Sequence, residues 1–194
     1  MTANKGEKEK GDKRFPLLAH DNPFRRLFSP PGRFVEPFVG AGQVAADLGC
    51  GPGFYAVALA ERVGPQGKAY AVDSDEKAVR ALDKKAGERG LRNVEARACS
   101  AARLDFIKDG TVDFVLAHGL LCSMAPDQRD AAVGEIKRIL KPGGRAYLSV
   151  ARGPWSYVDG AEWERILAEF RVERRNVRPR PLEERWAVVS LKTD

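Results

Sequence analysis

The chain has 194 residues, 43% of them hydrophobic and 31% charged, with a net charge of +6. That composition excludes a disordered or fibrous chain and fits one globular domain with a core of its own. Three cysteines without a Cys-x-x-Cys pair, and two histidines, argue against a disulfide framework, a zinc knuckle or a His-rich centre, so no metal is expected. Neither a secretory signal nor a long apolar run is present, which predicts a cytoplasmic protein. The basic balance invites an acidic partner, but the charge is spread too widely to name one. Few Asn, Gln, Met and Cys beside many Glu, Arg and Lys hint at a thermophilic source.

Residues 1–14 are charged and glycine-bearing and predict a disordered tail. From 15 to 40 the chain carries Phe24, Leu27, Phe28, Phe34, Val35 and Phe38, which need a surface to cover. Ser29, Pro30 and Pro31 open a short helix there, and Pro37 ends or kinks it. From 41 to 150 strands alternate with helices. Residues 44–48 form a strand, 54–63 a helix stopped by Gly64, and 69–72 a second strand. A helix follows over 75–89, with Ala78, Val79, Leu82 and Ala86 on one face. Strands at 94–98 and 112–117 come next, the second entered by an Asp-Gly turn. A helix over 127–140 leads through the turn Lys-Pro-Gly-Gly at 141–144 to a strand at 146–150. The region 151–194 holds a helix with a capping box from Asp159 and Glu162. Two last strands, near Val172 and over 186–191, flank an arginine-rich stretch. Such alternation gives a mostly parallel sheet with helices on both faces, and ligands then bind at the carboxyl ends of the strands.

The first strand ends in DLGCGPG, residues 47–53. Glycines there adopt dihedrals that other residues avoid and let a ligand approach the main chain. The spacing Gly49-x-Gly51-x-Gly53 is not the dinucleotide Gly-x-Gly-x-x-Gly. Asp47 repels a pyrophosphate and welcomes a cation, such as the ammonium or sulfonium of S-adenosylmethionine. The second strand ends in Asp73, placed for the hydroxyls of a ribose. Helix capping is its plainer role, which Ser74 or Asp75 could also fill.

The segments DLGCGPGFY, AVDSDEKAV, TVDFVLAHGLL and RILKPGGRAYLSV, in that order, resemble the class I S-adenosylmethionine-dependent methyltransferases, within them the ubiquinone/menaquinone-biosynthesis-like branch. The resemblance runs from about residue 30 to 150. It implies a three-layer α-β-α Rossmann-like α/β fold whose seven-stranded, mostly parallel sheet has one antiparallel strand. It further implies that Asp47, Gly49, Cys50, Gly51 and Gly53 line the methionine and ribose part, and that Asp73 takes the ribose with Ser74 near the adenine. Where the family often carries an acid for the adenine amino group, this chain has Cys99, Ser100 and Ala101. Ser100 accepts a hydrogen bond without charge assistance. His118 falls just after the fourth strand, where cofactor and acceptor meet.

Methyl transfer from a sulfonium is an in-line displacement from an activated donor. Holding the reactants in line supplies about 7–11 kcal/mol and a general base about 3–5 kcal/mol. His118 is the candidate base, with a pocket wall or a helix cap as its plainer role. His20, with Arg25 and Arg26, reads as part of a solvated face. Cys50 reads as a small filler, and Cys99 and Cys122 as buried thiols. The expected product is S-adenosylhomocysteine and the expected acceptor a small molecule. Arg171, Arg174, Arg175, Arg178, Arg180 and Arg185 keep RNA or protein methylation open, although no aromatic is interleaved before Trp186. An NAD(P)-dependent reductase would share the sheet and Asp73, and a non-catalytic protein could hold S-adenosylmethionine without transferring its methyl group. The oligomeric state is not legible.

Overall fold

The computed structural model describes residues 30–151, 156, 158–178 and 183–192. The proposed tail, His20, Arg25, Arg26, Phe24 and Arg180 lie outside the described residues. The described elements are α1 (Pro31–Val35), β1 (Val44–Leu48), α2 (Ala56–Val63), β2 (Lys68–Asp73), α3 (Glu76–Glu88), β3 (Val94–Ala98) and β4 (Val112–His118). They continue with α4 (Pro126–Ile139), β5 (Leu140–Ala151), α5 (Gly160–Ala168), β6 (Arg171–Arg178) and β7 (Glu184–Ser190).

The strands form one seven-stranded sheet in the order β3-β2-β1-β4-β5-β7-β6. All neighbours up to β5 pair in parallel, and β7 runs antiparallel to both β5 and β6. The expected single antiparallel strand is therefore β7. Strand order reverses between β1 and β4, so their carboxyl ends splay into a crevice.

Alternation along the strands sends successive side chains to opposite layers. Ala46, Leu48, Val115, Ala117, Leu148 and Val189 pack with α4 and α5 residues such as Ile136, Trp163 and Ile166. Ala45, Phe114, Leu116, Tyr147 and Val188 pack on the other face with Val35 and with Leu59 and Val63 of α2. Leu82 of α3 closes a smaller cluster with Val57 and Ala71. Burial of this apolar surface is the main stabilising contribution, at about 25 cal/mol per Å².

Three local expectations are corrected. The Lys-Pro-Gly-Gly segment is not a turn before β5 but part of it. Val112 pairs with Leu140 and Phe114 with Arg145, so the intervening residues bulge, with Gly143 at φ 81°. His118 is the last residue of β4, not the first beyond it. The capping box is half formed. Asp159 accepts from the Glu162 N–H at 2.8 Å, while the Glu162 carboxylate turns to Arg165 and Arg129. Two guanidinium groups outcompete a neutral backbone donor as partners for a carboxylate.

Candidate active site

The glycine loop is held from two sides. The N–H groups of Gly49 and Cys50 both donate to the Val72 carbonyl, at 2.7 and 2.9 Å. Lys85 of α3 donates through Nζ to the Pro52 carbonyl at 2.6 Å. All three glycines sit at positive φ, 78° at Gly49, 50° at Gly51 and 86° at Gly53, where a side chain is strained. Their surroundings differ. A Cβ on Gly53 would run into Leu82 Cδ1, and one on Gly49 would meet Leu120 at 3.1 Å. One on Gly51 would meet nothing within 4 Å. Gly53 thus serves the packing of the loop on α3, whereas Gly51 leaves main chain bare towards the crevice.

Two carboxylates flank this loop. Asp47, on β1, is 2% exposed. Asp73, the last residue of β2, accepts from the Gly51 N–H at 2.8 Å and from the Asp75 N–H at 2.9 Å, one on each oxygen. It does not cap α3. Asp75 does, accepting from the Lys77 N–H at 2.8 Å. A carboxylate has about four acceptor positions, so Asp73 retains capacity for a diol. The Cys50 thiol reports the local field: burial first, then Asp47 and Asp73, push it well above the ordinary thiol range. Cys50 is buried, its Sγ 3.5 Å from the Gly51 carbonyl, as a protonated filler. Cys122 is buried as expected, whereas Cys99 is only half-buried; both thiols are raised, burial being the leading cause at each.

The loop after β3 contributes less side chain than the resemblance implied. Ser100 is exposed, and its Oγ accepts from the Ala102 N–H at 3.2 Å. The Ala101 side chain is buried in the core, so only its main chain is available to a ligand. Ser74 is exposed beside Asp73.

His118 stands across the crevice. Its Nε2 lies 3.2 Å from Glu184 Oε1, with the two side chains 22% and 13% exposed. Its ring lies 5.1 Å from the Tyr55 ring, 6.0 Å from Tyr147 in a near-parallel stack, and 6.0 Å from Phe34 edge-on. Tyr55 precedes α2 directly, so this aromatic wall joins the glycine loop to the end of β4. Gly119 donates to the Ser149 carbonyl at 3.2 Å and to its buried hydroxyl at 3.1 Å.

Two residues of this region escape sequence reasoning. One is Glu184. The other is Arg129 of α4, 1% exposed, which donates to the Leu121 and Met124 carbonyls at 3.1 and 3.0 Å and pairs with Glu162 of α5. It clamps the loop that carries Leu120 against Gly49. Arg165 foremost, then Arg129, holds the Glu162 carboxyl down to about 2. A buried arginine in the first turn of a helix has no signature in the sequence; its lack of a solvated face is visible only once α5 is in place.

The methyltransferase domain family matches residues 45–144, just over half of the chain. The chain belongs to that family. It is of the class I, S-adenosylmethionine-dependent type, in agreement with the sheet order and the position of the glycine loop. It is 38% identical over 104 residues to a demethylmenaquinone methyltransferase of Geobacillus stearothermophilus, covering 53% of this chain and 43% of the relative. It is 37% identical over 141 residues to a nocamycin O-methyltransferase of Saccharothrix syringae, covering 71% of this chain and 48% of that protein. The chain thus spans less than half the length of these two relatives. Among solved structures it is similar to a SAM-dependent methyltransferase from Aquifex aeolicus, with 28% identity and a TM-score of 0.69, over 91% of this chain and all of that one. Among the described residues no helix is long and apolar enough to cross a membrane.

Proposed function

We propose that this chain binds S-adenosylmethionine at the carboxyl ends of β1, β2 and β3 and transfers its methyl group to a small-molecule acceptor beside His118. The observation that carries the reading is the convergence of Asp47 and Asp73 on a glycine loop whose one unobstructed glycine is Gly51. Two carboxylates around bare main chain favour a cationic nucleoside over a pyrophosphate, since like charges at close range destabilise each other. The residues fit the cofactor: Asp73 holds the ribose diol, Asp47 the ammonium directly or through water, and the Gly51 main chain packs against the ligand. Ser74 and the Ser100–Ala101 main chain stand where the adenine would lie, and Gly49 and Cys50 complete the loop from below. When bound, the cofactor supplies a methyl group on a positively charged sulfur, whose C–S bond breaks with the electron pair returning to sulfur. The chain's part is to hold the acceptor in line, exclude water with Phe34 and Tyr55, and receive a proton at His118.

The acceptor is read as small because the wall around His118 is aromatic and Arg171, Arg174 and Arg175 of the edge strand β6 are exposed, Arg175 being paired with Glu164. The names of the curated relatives, methyltransferases of demethylmenaquinone and nocamycin, support the same reading. Calorimetry tests it. S-adenosylmethionine and S-adenosylhomocysteine are expected to bind with micromolar dissociation constants and NADPH not to bind. NADPH binding, or no heat with S-adenosylmethionine at millimolar concentration, would overturn the proposal.

A further inference from the structure

We infer that Lys85 is a positioning residue for the cofactor: its ammonium, set on the Pro52 carbonyl, holds the second half of the glycine loop in the binding conformation before any ligand arrives. The inference rests on the methyltransferase reading of the same site and adds to it a residue of α3 that acts through the main chain.

The loop divides into two halves by what fixes each. Gly49 and Cys50 donate their N–H groups to the Val72 carbonyl, so main chain of β2 fixes the first half. Gly51 and Pro52 have less to call on. Proline has no N–H, and the Gly51 carbonyl accepts from the weak Cys50 Sγ donor at 3.5 Å. Two charged side chains take up the remaining groups. The Gly51 N–H donates to Asp73 Oδ2 at 2.8 Å, and the Pro52 carbonyl accepts from Lys85 Nζ at 2.6 Å. Gly51, whose Cβ position faces open space, is thus held between a carboxylate on its own N–H and an ammonium on the next carbonyl.

Lys85 reaches Pro52 because α3 seats the loop. Residues three apart on a helix share a face, so Leu82 and Lys85 are presented together. Leu82 fills the space where a Cβ on Gly53 would stand, and Lys85 meets the carbonyl just before Gly53. Side chains on a helix lean towards its amino end, which carries the Lys85 stem towards the loop at the carboxyl ends of the strands. A helix lysine ordinarily keeps its ammonium in water. Lys85 is half-buried and gives its ammonium to a neutral carbonyl 33 residues away in the chain.

The consequence for binding is entropic. Gly51 and Gly53 stand at φ 50° and 86°, and glycine loses more conformational freedom on ordering than any other residue. A loop that is loose before binding must be ordered by its ligand, and that cost is subtracted from the affinity. The Lys85 tether removes part of it beforehand. It acts on the shape of the loop and not on the charge of the cofactor. S-adenosylmethionine and S-adenosylhomocysteine, which differ by the methyl group and the positive charge, therefore depend on it equally. A lysine acting through its field would oppose the sulfonium and distinguish the two ligands.

The test uses the full chain with ¹⁵N-labelled glycine. Lys85→Met keeps the length of the side chain and its helix propensity and removes the donor. Lys85→Ala, the best helix former, is a second variant without the donor, and Lys85→Arg keeps the cation. By calorimetry, Lys85→Met and Lys85→Ala are expected to weaken S-adenosylmethionine and S-adenosylhomocysteine alike, by about tenfold, and Lys85→Arg to weaken both by less than about threefold. In the ligand-free chain the Gly51 and Gly53 amides are expected to exchange with solvent about tenfold faster in Lys85→Met, with Gly134 inside α4 unchanged. Affinities within about twofold of wild type in both donor-free variants would overturn the positioning role. So would equally accelerated exchange at Gly134, the mark of a global loss of stability, or a change confined to one of the two ligands, the mark of a field effect. Failure of the wild-type chain to bind either ligand would sink the methyltransferase reading. Unchanged exchange at Gly51 and Gly53 in Lys85→Met would sink the tether, so the two failures are distinguishable.

Discussion

The proposed cofactor side of the crevice and the proposed acceptor side are built on different plans. The first centres on one contiguous loop between β1 and α2, held by the carbonyl of Val72 and the carboxylate of Asp73, with Ser74 and the Ser100–Ala101 segment added from the ends of β2 and β3. Its chemistry joins main-chain geometry to the two carboxylates of Asp47 and Asp73. The second is assembled from Phe34, Tyr55, His118, Tyr147 and Glu184, delivered by α1, the start of α2, β4, β5 and β7. A loop that binds one universal cofactor can be encoded locally. A wall that chooses among acceptors varies by exchanging side chains on separate elements, leaving the loop untouched.

The comparison can be broken first at the glycines, where the largest effects are expected. Gly51→Val should lower S-adenosylmethionine affinity about 100-fold or more by calorimetry, because the new side chain occupies the open face. Its unfolding free energy should fall by only about 1–2 kcal/mol, from the left-handed backbone. Gly53→Val should do the reverse in rank. The collision with Leu82 adds overpacking to the same strain, so a loss of about 3–5 kcal/mol is expected in denaturant unfolding. Equal stability losses in the two variants would show that the loop's glycines do not divide their work.

A smaller effect is expected on the acceptor side at Arg129. Arg129→Ala leaves the Leu121 and Met124 carbonyls without their donor and should cost about 3 kcal/mol, a fall in Tm of roughly 6–12 °C for a domain of this size. Acceptor KM should worsen more than S-adenosylmethionine affinity, since the clamped loop borders His118. An unchanged melting temperature would refute the clamp.

The smallest concerns pH. Arg165 and Arg129 hold the Glu162 carboxyl from an ordinary 4.5 down to about 2, so its folded-state value is depressed. The stability it contributes is present above about 4.5 and is lost as pH falls through the window from 4.5 to about 2. Glu162→Gln should flatten the acid limb of the stability curve in that window. An identical limb in the variant would remove Glu162 from acid unfolding.

Much of this protein was legible because its signals are short-range. The glycines, Asp73 at the end of a strand and the 3.6-residue apolar spacing of α3 each depend on residues close in sequence. Even the departures were local: the bulge at Lys-Pro-Gly-Gly arises because β5 begins pairing with Val112 before that segment and resumes after it. Glu184 and Arg129 were not legible. Glutamate and arginine are ordinarily surface residues, and nothing beside them in the chain marks either as covered.

What the sequence determined by itself was the order of strands and helices, the bare loop and the charge beside it, since hydrophobic period and glycine placement act within a few residues. Only the tertiary structure decided which of three glycines faces open space, that Asp75 and not Asp73 caps α3, and that β7 returns antiparallel to set Glu184 against His118. Those outcomes depend on register and packing between segments far apart in the chain, where the energy of each contact is defined only after the sheet has formed.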